Sequence, residues 1–501
     1  MEIILSTINA KWIHPSLALR LLKANLGEYE TRAEILEFAL RQPLTEKINA
    51  IYEAAPKILG LSVSIWNHLN TLELLVQLEA KWKNSTNENS APQSIPPAPV
   101  VVLGGPEVSH LPESAEIFRH ADFIIRGEGE NAFRELCSAV LNDRKSIKKI
   151  PNSSGKFIDA QPPDLATIDP GYRLYTGEDL TRKLVYVEAS RGCPFGCEFC
   201  QGPTRSPGPI RSPCSFDKTV REFPLEKFLS NMDDLINRGA KTFKFLDRTF
   251  NLNIDRALCI MQFFLERIAE IDCVHFEMIP GRFPPELREV IRHFPPGKLR
   301  LEIGIQTFNA ETAALINRSG ESDDALETIA FLRRETGAIV HADLIAGLPG
   351  EDLQSFGAGF DRLWMAAAAA TQPEQAPAEH LPFEIQLGIL KYLPGTPIGR
   401  HTETHGMRYA PEPPYEVLET AALDTTRLDK IKNFARFWEI IINRNAFPEI
   451  TAKIFPPGEP VFDKFMHLAD SLLAQFSRNW GIDKKELEGA CILFQKGSAS
   501  P

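Results

Sequence analysis

The chain has 501 residues, enough for about three domains at roughly 150 residues each, so peptide-sized and disulfide-stapled folds are excluded. Hydrophobic residues make up 43% and charged residues 24%, values that indicate neither wholesale disorder nor a fibrous repeat. The net charge of −11 disfavours an extended nucleic-acid surface and leaves room only for a local basic groove.

The opening MEIILSTINA carries no basic flank and no long apolar run, so it is not expected to be a signal peptide. The most apolar helix-like stretch, Leu363 to Ala370, falls far short of the ~18 residues a membrane span needs. A soluble, cytoplasmic protein is expected. Eight cysteines are too few for a disulfide scaffold in so long a chain, but three of them fall between Cys193 and Cys200, which points to a metal centre in a reducing compartment.

In chain order, the first 145 residues alternate strand and helix patterns. Ile3 to Ser6 is β-branched, Pro15 to Ala24 has a helical apolar spacing, Leu61 to Trp66 is strand-like, and Leu69 to Trp82 is helical. Lys83 to Ala98 has almost nothing apolar to bury and is expected as a surface insertion. The alternation resumes with Val100 to Leu103, a Gly104-Gly105-Pro106 turn, a helix from near Pro112, the strand Phe123 to Arg126 and a helix from Glu130 to Val140. Such βα alternation predicts a doubly wound parallel sheet over 1–145, with ligands beyond the carboxyl ends of its strands, where Gly104, Gly105, Gly127 and Gly129 lie.

The polar, proline-bearing stretch 146–175 is expected as a linker. A second βα series follows over 176–398, with strands at Leu184–Glu188, Thr242–Leu246, Val274–Ile279, Leu299–Ile303, Val340–Leu344 and Phe383–Leu387. Six strands with intervening helices predict a partial or complete βα barrel, with polar residues just after each strand facing its catalytic end. Residues 399–501 are expected to form a third, mainly helical domain, with helices at Asp424–Ile442, Phe462–Phe476 and Lys484–Cys491. The fold class is therefore α/β, with a helical carboxyl-terminal region.

The most informative string is Arg191-Gly192-Cys193-Pro194-Phe195-Gly196-Cys197-Glu198-Phe199-Cys200, directly after a strand. Thiolates are soft ligands for iron or zinc, and a turn lets three sulfurs converge on one centre. Three ligands leave one iron of a 4Fe–4S cluster open to a substrate or cofactor. Spacing alone also allows a zinc knuckle completed by Cys214.

This CxxxCxxC spacing, with an aromatic residue before the last cysteine, resembles the radical S-adenosylmethionine superfamily. The resemblance implies that Cys193, Cys197 and Cys200 hold a 4Fe–4S cluster whose open iron chelates S-adenosylmethionine, with Phe199 near the adenine. Reductive cleavage would then give a 5'-deoxyadenosyl radical, with the electron coming from a donor such as flavodoxin or ferredoxin. Further strings resemble the same superfamily. Asp247 and Arg248, in the string FKFLDRTFN, would orient cofactor or substrate at a strand end. Glu302 and Gln306, in LEIGIQT, would approach the methionine or ribose portion. Gly347, in DLIAGLPGE, would let the backbone come close to the adenine, and Gly350 with Glu351 would start a helix. By sequence Arg282, shortly after the strand ending at Ile279, suits the active-site rim and the solvent equally.

The amino-terminal domain resembles the cobalamin-binding subclass of these enzymes, through Leu103-Gly104-Gly105-Pro106-Glu107-Val108-Ser109 and Ile125-Arg126-Gly127-Glu128-Gly129-Glu130. Gly104, Gly105 and Gly127 would let the chain pass close to a corrin or its tail. Many cobalamin modules carry an Asp-x-His-x-x-Gly string that supplies an axial histidine. Here His14 stands at the histidine position, but Trp12 and Leu17 occupy the Asp and Gly positions. The strings from Lys391 to Pro397 and from Tyr409 to Tyr415 resemble a branch with an accessory domain of unknown role. On the helix with Arg427, Lys430 and Arg436, the aromatics Phe434, Phe437 and Trp438 are spaced for packing.

The resemblance implies a cobalamin-dependent radical enzyme, a methyltransferase acting on an unactivated carbon of a small molecule. The alternatives are a radical cyclase, rearrangement or other hydrogen-abstraction enzyme, and a metal-binding interaction scaffold. RNA modification is disfavoured by the charge. Substrate identity and oligomeric state are not legible in the sequence.

Overall fold

The computed structural model describes residues 1–87, 97–142, 147, 150–202, 204–205, 216–217, 219–318, 322–369, 383–456 and 458–497. The chain divides into two compact units. One comprises Met1–Pro194, Gln201–Leu246 and Leu393–Gly395; the other comprises Phe195–Cys200, Asp247–Tyr392 and Thr396–Pro501. The division falls inside the cysteine string.

The first unit opens with β1 (Ile3–Asn9), α1 (Leu17–Ala24), β2 (Ala33–Ala39), α2 (Leu44–Ala54), β3 (Ile58–Ser62), α3 (His68–Asn87), β4 (Val100–Gly104), α4 (Pro106–His110), β5 (Phe123–Arg126) and α5 (Glu130–Asn142). Two short strands, β6 (Ser153–Ser154) and β7 (Phe157–Asp159), complete a seven-stranded sheet in the order β2-β1-β3-β4-β5-β7-β6. All pairings are parallel except β6 with β7. Alternate residues of β1 feed opposite cores. Ile3 and Leu5 join Leu19, Phe133 and Leu136 on one face, and Ile4 and Ile8 join Leu74, Leu78 and Trp82 on the other. A sheet covered on both faces needs such near-continuous apolar strands. The order reverses at β1, with β2 on one side and β3 on the other, and crevices at such reversals are where α/β sheets take ligands.

The stretch 146–175 is more than a linker. Phe157 and Ile158 point into opposite cores, and Phe157 meets the Phe118 ring edge-on at 5.4 Å. Two apolar residues were enough to recruit it to the sheet despite its polar composition. The helix expected near Pro112 instead begins at Pro106, where proline suits the first turn. The edge strand β2 and helix α2 have no counterpart among the expected elements. β2 is half-exposed along most of its length, so its apolar pattern is weak. Most of the expected insertion at Lys83 to Ala98 lies outside the described residues.

The first unit continues with α6 (Gly177–Arg182), β8 (Val185–Val187), β9 (Ser190–Arg191), β10 (Thr204–Arg205), β11 (Phe216–Asp217), β12 (Arg221–Glu222), α7 (Leu225–Asn237) and β13 (Thr242–Phe245). β8 and β13 pair in parallel, and β9 pairs antiparallel with β12.

The second unit contains α8 (Ile254–Glu266), β14 (Cys273–Met278), α9 (Pro285–Arg292), β15 (Leu299–Gln306), α10 (Ala310–Leu315), α11 (Ser322–Glu335), β16 (Ile339–Ala346), α12 (Leu353–Ala369) and β17 (Phe383–Ile389). β14 to β17 pair in parallel with their sequence neighbours. The first unit thus holds the parallel pair β8 and β13, and the second holds the four-stranded parallel series β14 to β17. The remainder is a short antiparallel ladder, β18 (Arg408–Tyr409) with β19 (Val417–Glu419), and four helices, α13 (Thr425–Trp438), α14 (Pro448–Ile454), α15 (Phe462–Phe476) and α16 (Lys484–Gly497). Phe434, Phe437 and Trp438 are packing residues, as their spacing implied. Phe434 and Trp438 meet Phe360 of α12 edge-on at 5.2 and 4.8 Å, so the helical region shares a core with a barrel helix. Among the described residues, no helix is long and apolar enough to cross a membrane.

Candidate active site

Within the first unit, a cavity of about 460 Å³ opens beyond the carboxyl ends of β3, β4 and β5. Gly104, Gly105, Gly127 and Gly129 form part of its wall, with Leu17, Leu21 and Leu22 of α1 and Phe133 of α5 on its apolar side. The two glycine turns are tied together through Ser109, whose hydroxyl donates to the Gly105 carbonyl at 2.8 Å and accepts from the Gly127 amide at 3.1 Å. Gly127 has φ 84° and Gly105 φ 109°, backbone that favours glycine. A Cβ on Gly105 would also stand 2.4 Å from the Val63 carbonyl, so the neighbouring strand end alone demands glycine there.

One side of the cavity is charged. Arg191 Nη1 lies 2.6 Å from Glu128 and 2.8 Å from Glu130, and its Nη2 lies 2.6 Å from Glu188. All four residues line the cavity. Burial pushes the Glu188 carboxyl above its ordinary pKa, against the pull of Arg191. Arg191 leads into Gly192 and Cys193, and Cys193 is buried. His14 is not on this wall. Its Nδ1 sits 2.8 Å from the Tyr186 hydroxyl, and the preceding carbonyl of Ile13 accepts from the Leu184 amide. Burial, with Lys11 and Lys244 nearby, holds the His14 ring below its ordinary pKa.

In the second unit, Cys197 is buried and Cys200 half-buried, with the Cys200 amide donating to the Cys197 carbonyl. Glu198, between them, is buried and clamped. Its Oε2 lies 2.9 Å from His401 Nε2, its Oε1 lies 2.6 Å from Arg400 Nη2, and its amide donates to the Ile316 carbonyl. Phe199 is half-buried. Arg318 places Nη1 3.6 Å from Cys197 Sγ and donates its other terminal nitrogen to the Gly304 carbonyl. A guanidinium beside a thiolate favours the deprotonated, ligating form.

Glu302 lies 3.1 Å from His275 Nε2, across β15 and β14. Gln306 ends β15 at φ 75°, where the register with β16 shifts, and a Cβ on Gly304 would meet its Nε2 at 2.7 Å. Asp247 is buried directly after β13, whereas Arg248 is exposed, 3.8 Å from Glu277. Gly347, at φ 85°, is approached by Val417, whose Cγ1 would stand 2.5 Å from an added Cβ; the close neighbour found there is β19. Glu351 does not start the following helix. It is buried on Thr307, and Asp352 caps α12 through the Ser355 amide.

Residues 187–362 match the radical SAM superfamily model, and residues 4–137 match the B12 binding domain model. An uncharacterized methyltransferase of Pyrococcus horikoshii is 32% identical over 173 residues, covering 32% of this chain and 36% of that protein. The cobalamin-dependent radical SAM methyltransferase TokK of Streptomyces tokunonensis is 22% identical over 432 residues, covering 81% of this chain and 56% of TokK. The chain therefore spans less than two thirds of either curated relative. The radical S-adenosylmethionine methyltransferase TsrM from Kitasatospora setae has a related fold, with a TM-score of 0.58 at 16% identity over 82% of this chain and 78% of that one.

The chain thus carries one segment that matches the B12 binding domain and another that matches the radical SAM superfamily. The two matches imply cobalamin, a 4Fe–4S cluster and S-adenosylmethionine as cofactors. The first unit fits cobalamin in kind: the cavity lies where doubly wound sheets take ligands, is apolar on one side, and is backed by main chain at the glycine turns. The donor set suits an iron–sulfur cluster in kind, since thiols are soft ligands and the Arg318 guanidinium lies beside Cys197. Among the described residues no three His, Cys, Asp or Glu side chains stand together as a metal site. Sequence reasoning quoted Arg191, Glu128, Glu130 and Glu198 inside motifs but gave them no role, and it did not single out Arg318. Apart from Glu188, three residues before Arg191, their ion-pair partners lie far away in the chain, beyond the reach of local spacing.

Proposed function

We propose that this protein is a cobalamin-dependent radical SAM methyltransferase that methylates an unactivated carbon of a small molecule, in the cytoplasm, with reducing equivalents from a flavodoxin or ferredoxin. The observation that carries the reading is the glycine-turned cavity of the doubly wound sheet, whose charged wall contains Arg191, two residues before the first cluster thiol. The domain matches and the methyltransferases similar to this chain support the same reading.

When bound, the three cofactors supply the methyl group and a carbon radical able to remove hydrogen from the substrate. The chain supplies position. In this reading Cys193, Cys197 and Cys200 ligate the cluster, and the Glu198 clamp holds the loop that carries the second and third thiols. Glu302, midway along β15, and Gln306, at its end, present a carboxylate and an amide suited to an ammonium and to hydroxyls. Phe199 offers an aromatic face for the adenine, and Asp247 and Arg248 orient substrate or cofactor. Gly104, Gly105 and Gly127 let the corrin or its tail approach main chain.

Anaerobic reconstitution, with iron, sulfide and cobalamin quantified, tests the reading. The expected result is one four-iron cluster and one cobalamin per chain, with 5'-deoxyadenosine formed together with transfer of labelled methyl from S-adenosylmethionine to a small-molecule product. Tetrahedral zinc at the three thiols would overturn it. Deoxyadenosine formation with bound cobalamin but no methyl transfer would favour a radical cyclase or rearrangement.

A further inference from the structure

The ladder that leads to the first cluster thiol has an electrostatic defect that another motif repairs. Arg191 of β9 and Arg221 of β12 are Cα partners, directly opposite each other. Like charges at such positions repel and loosen a two-residue ladder. Glu128 accepts from both, through Oε2 at 2.6 Å from Arg191 Nη1 and through Oε1 on Arg221 Nη2. Glu130 and Glu188 complete the enclosure of Arg191. Next in the chain, Gly192 has φ 105°, and a Cβ there would stand 2.3 Å from the Thr219 carbonyl. The main chain entering Cys193 is thus pressed against the segment that carries Arg221.

We propose that Arg191 is a positioning residue that ties the turn bearing the first cluster thiol to the acidic wall of the cobalamin cavity, so that each cofactor strengthens the binding of the other. The inference rests on the proposed cofactor sites. Three carboxylates face two guanidinium groups, and the side chains of Arg191, Glu130 and Glu188 are at most 11% exposed. An occupant that displaces water from the cavity lowers the local dielectric, which strengthens these ion pairs and stiffens the ladder. Linkage then requires the reverse effect of equal size: a ladder held by the cluster presents its carboxylates in fixed positions to the cavity.

The test measures hydroxocobalamin affinity by equilibrium dialysis on the full chain, once with the reconstituted cluster and once on the cluster-free Cys193→Ala/Cys197→Ala/Cys200→Ala variant. The wild-type cluster should tighten binding by about 5- to 150-fold, the usual range for coupled sites. In the Glu128→Gln and Arg191→Gln backgrounds the ratio of cluster-loaded to cluster-free affinity should fall towards one, and Arg191→Lys should restore part of it. A simple loss of fold would instead weaken cobalamin binding in both forms. A second measurement needs no Arg191 variant: the equilibrium partition of iron between the wild-type protein and a competing chelator should shift towards the protein when hydroxocobalamin is bound, by the same factor as the cluster tightens hydroxocobalamin binding. A ratio of one in the wild type, or an unchanged ratio in Glu128→Gln, would overturn the coupling and leave the proposed function standing. No hydroxocobalamin binding in either form would overturn both.

Discussion

The Thr307 hydroxyl donates to Glu351 Oε1 at 2.5 Å, and the second oxygen of this buried carboxyl has no hydrogen-bond partner among the described residues. Burial raises the Glu351 pKa to about 7, against the Thr307 bond that lowers it. The folded chain therefore keeps a proton on Glu351 through a range in which the unfolded chain, at the ordinary 4.5, has lost it. The folded state binds more protons between these values, so stability falls as pH rises from about 4.5 to about 7, by on the order of 3 kcal/mol. Glu351→Gln keeps the acceptor for Thr307 and removes the titration. Urea midpoints measured from pH 5 to 8 should slope downward in the wild type and flatten in this variant; equal slopes would refute the assignment.

Arg20 is sealed in the first unit, 2.7 Å from Asp179 and 2.9 Å from Glu37. Replacing it with methionine leaves two carboxylates without their shared cation and should cost about 3–5 kcal/mol in chemical denaturation. Burial pushes the Asp179 carboxyl up, but Lys183 and Arg20 outweigh it and hold the group at about 2, below its ordinary 3.8. A lowered carboxyl stabilises the fold fully above its unfolded pKa and loses that contribution as pH falls through about 2. The Arg20→Met variant should therefore show a shallower acid limb between pH 4 and 2.

Gly395, at φ 79°, lies against His110, where an added Cβ would be 2.7 Å from the ring. The adjacent Pro394 carbonyl accepts from Gln201, and both His110 and Gln201 line the cavity. Gly395→Ala combines backbone strain with a clash and should destabilise by about 2 kcal/mol. Weaker hydroxocobalamin binding should accompany a lower melting temperature. Full affinity in the variant would separate the Leu393–Gly395 turn from the cavity.

The Tyr186 hydroxyl engages His14 Nδ1, and His14 is absent from the cavity wall. A protein whose cobalt is not held by this ring should bind hydroxocobalamin within about twofold of wild type after His14→Ala, since a lost ligand bond would shift affinity much further. The paramagnetic resonance spectrum of reduced cobalamin in the wild-type protein should also lack nitrogen splitting from histidine. Nitrogen splitting that vanishes in His14→Ala would restore the ring as the axial ligand.

Several features were legible because their physics is local. The three-thiol spacing, the βα alternation and the apolar face of α13 each sit within a few turns of chain, where backbone period dictates which side chains share a face. Even departures had local causes. Phe157 and Ile158 drew a polar stretch into the sheet, and Asp352 capped α12 once Glu351 was buried.

By itself, then, the amino-acid order indicated the fold class through strand and helix period, and pointed to the cofactors through the family resemblance carried by the cysteine string and the glycine motifs, because both are properties of short segments. Only the tertiary structure decided that Glu128 bridges two arginines 63 and 93 residues away, that His14 meets Tyr186 172 residues on, and that Glu198 is clamped by Arg400 and His401. Buried charges require partners whatever the distance along the chain, and packing alone selects which partner arrives.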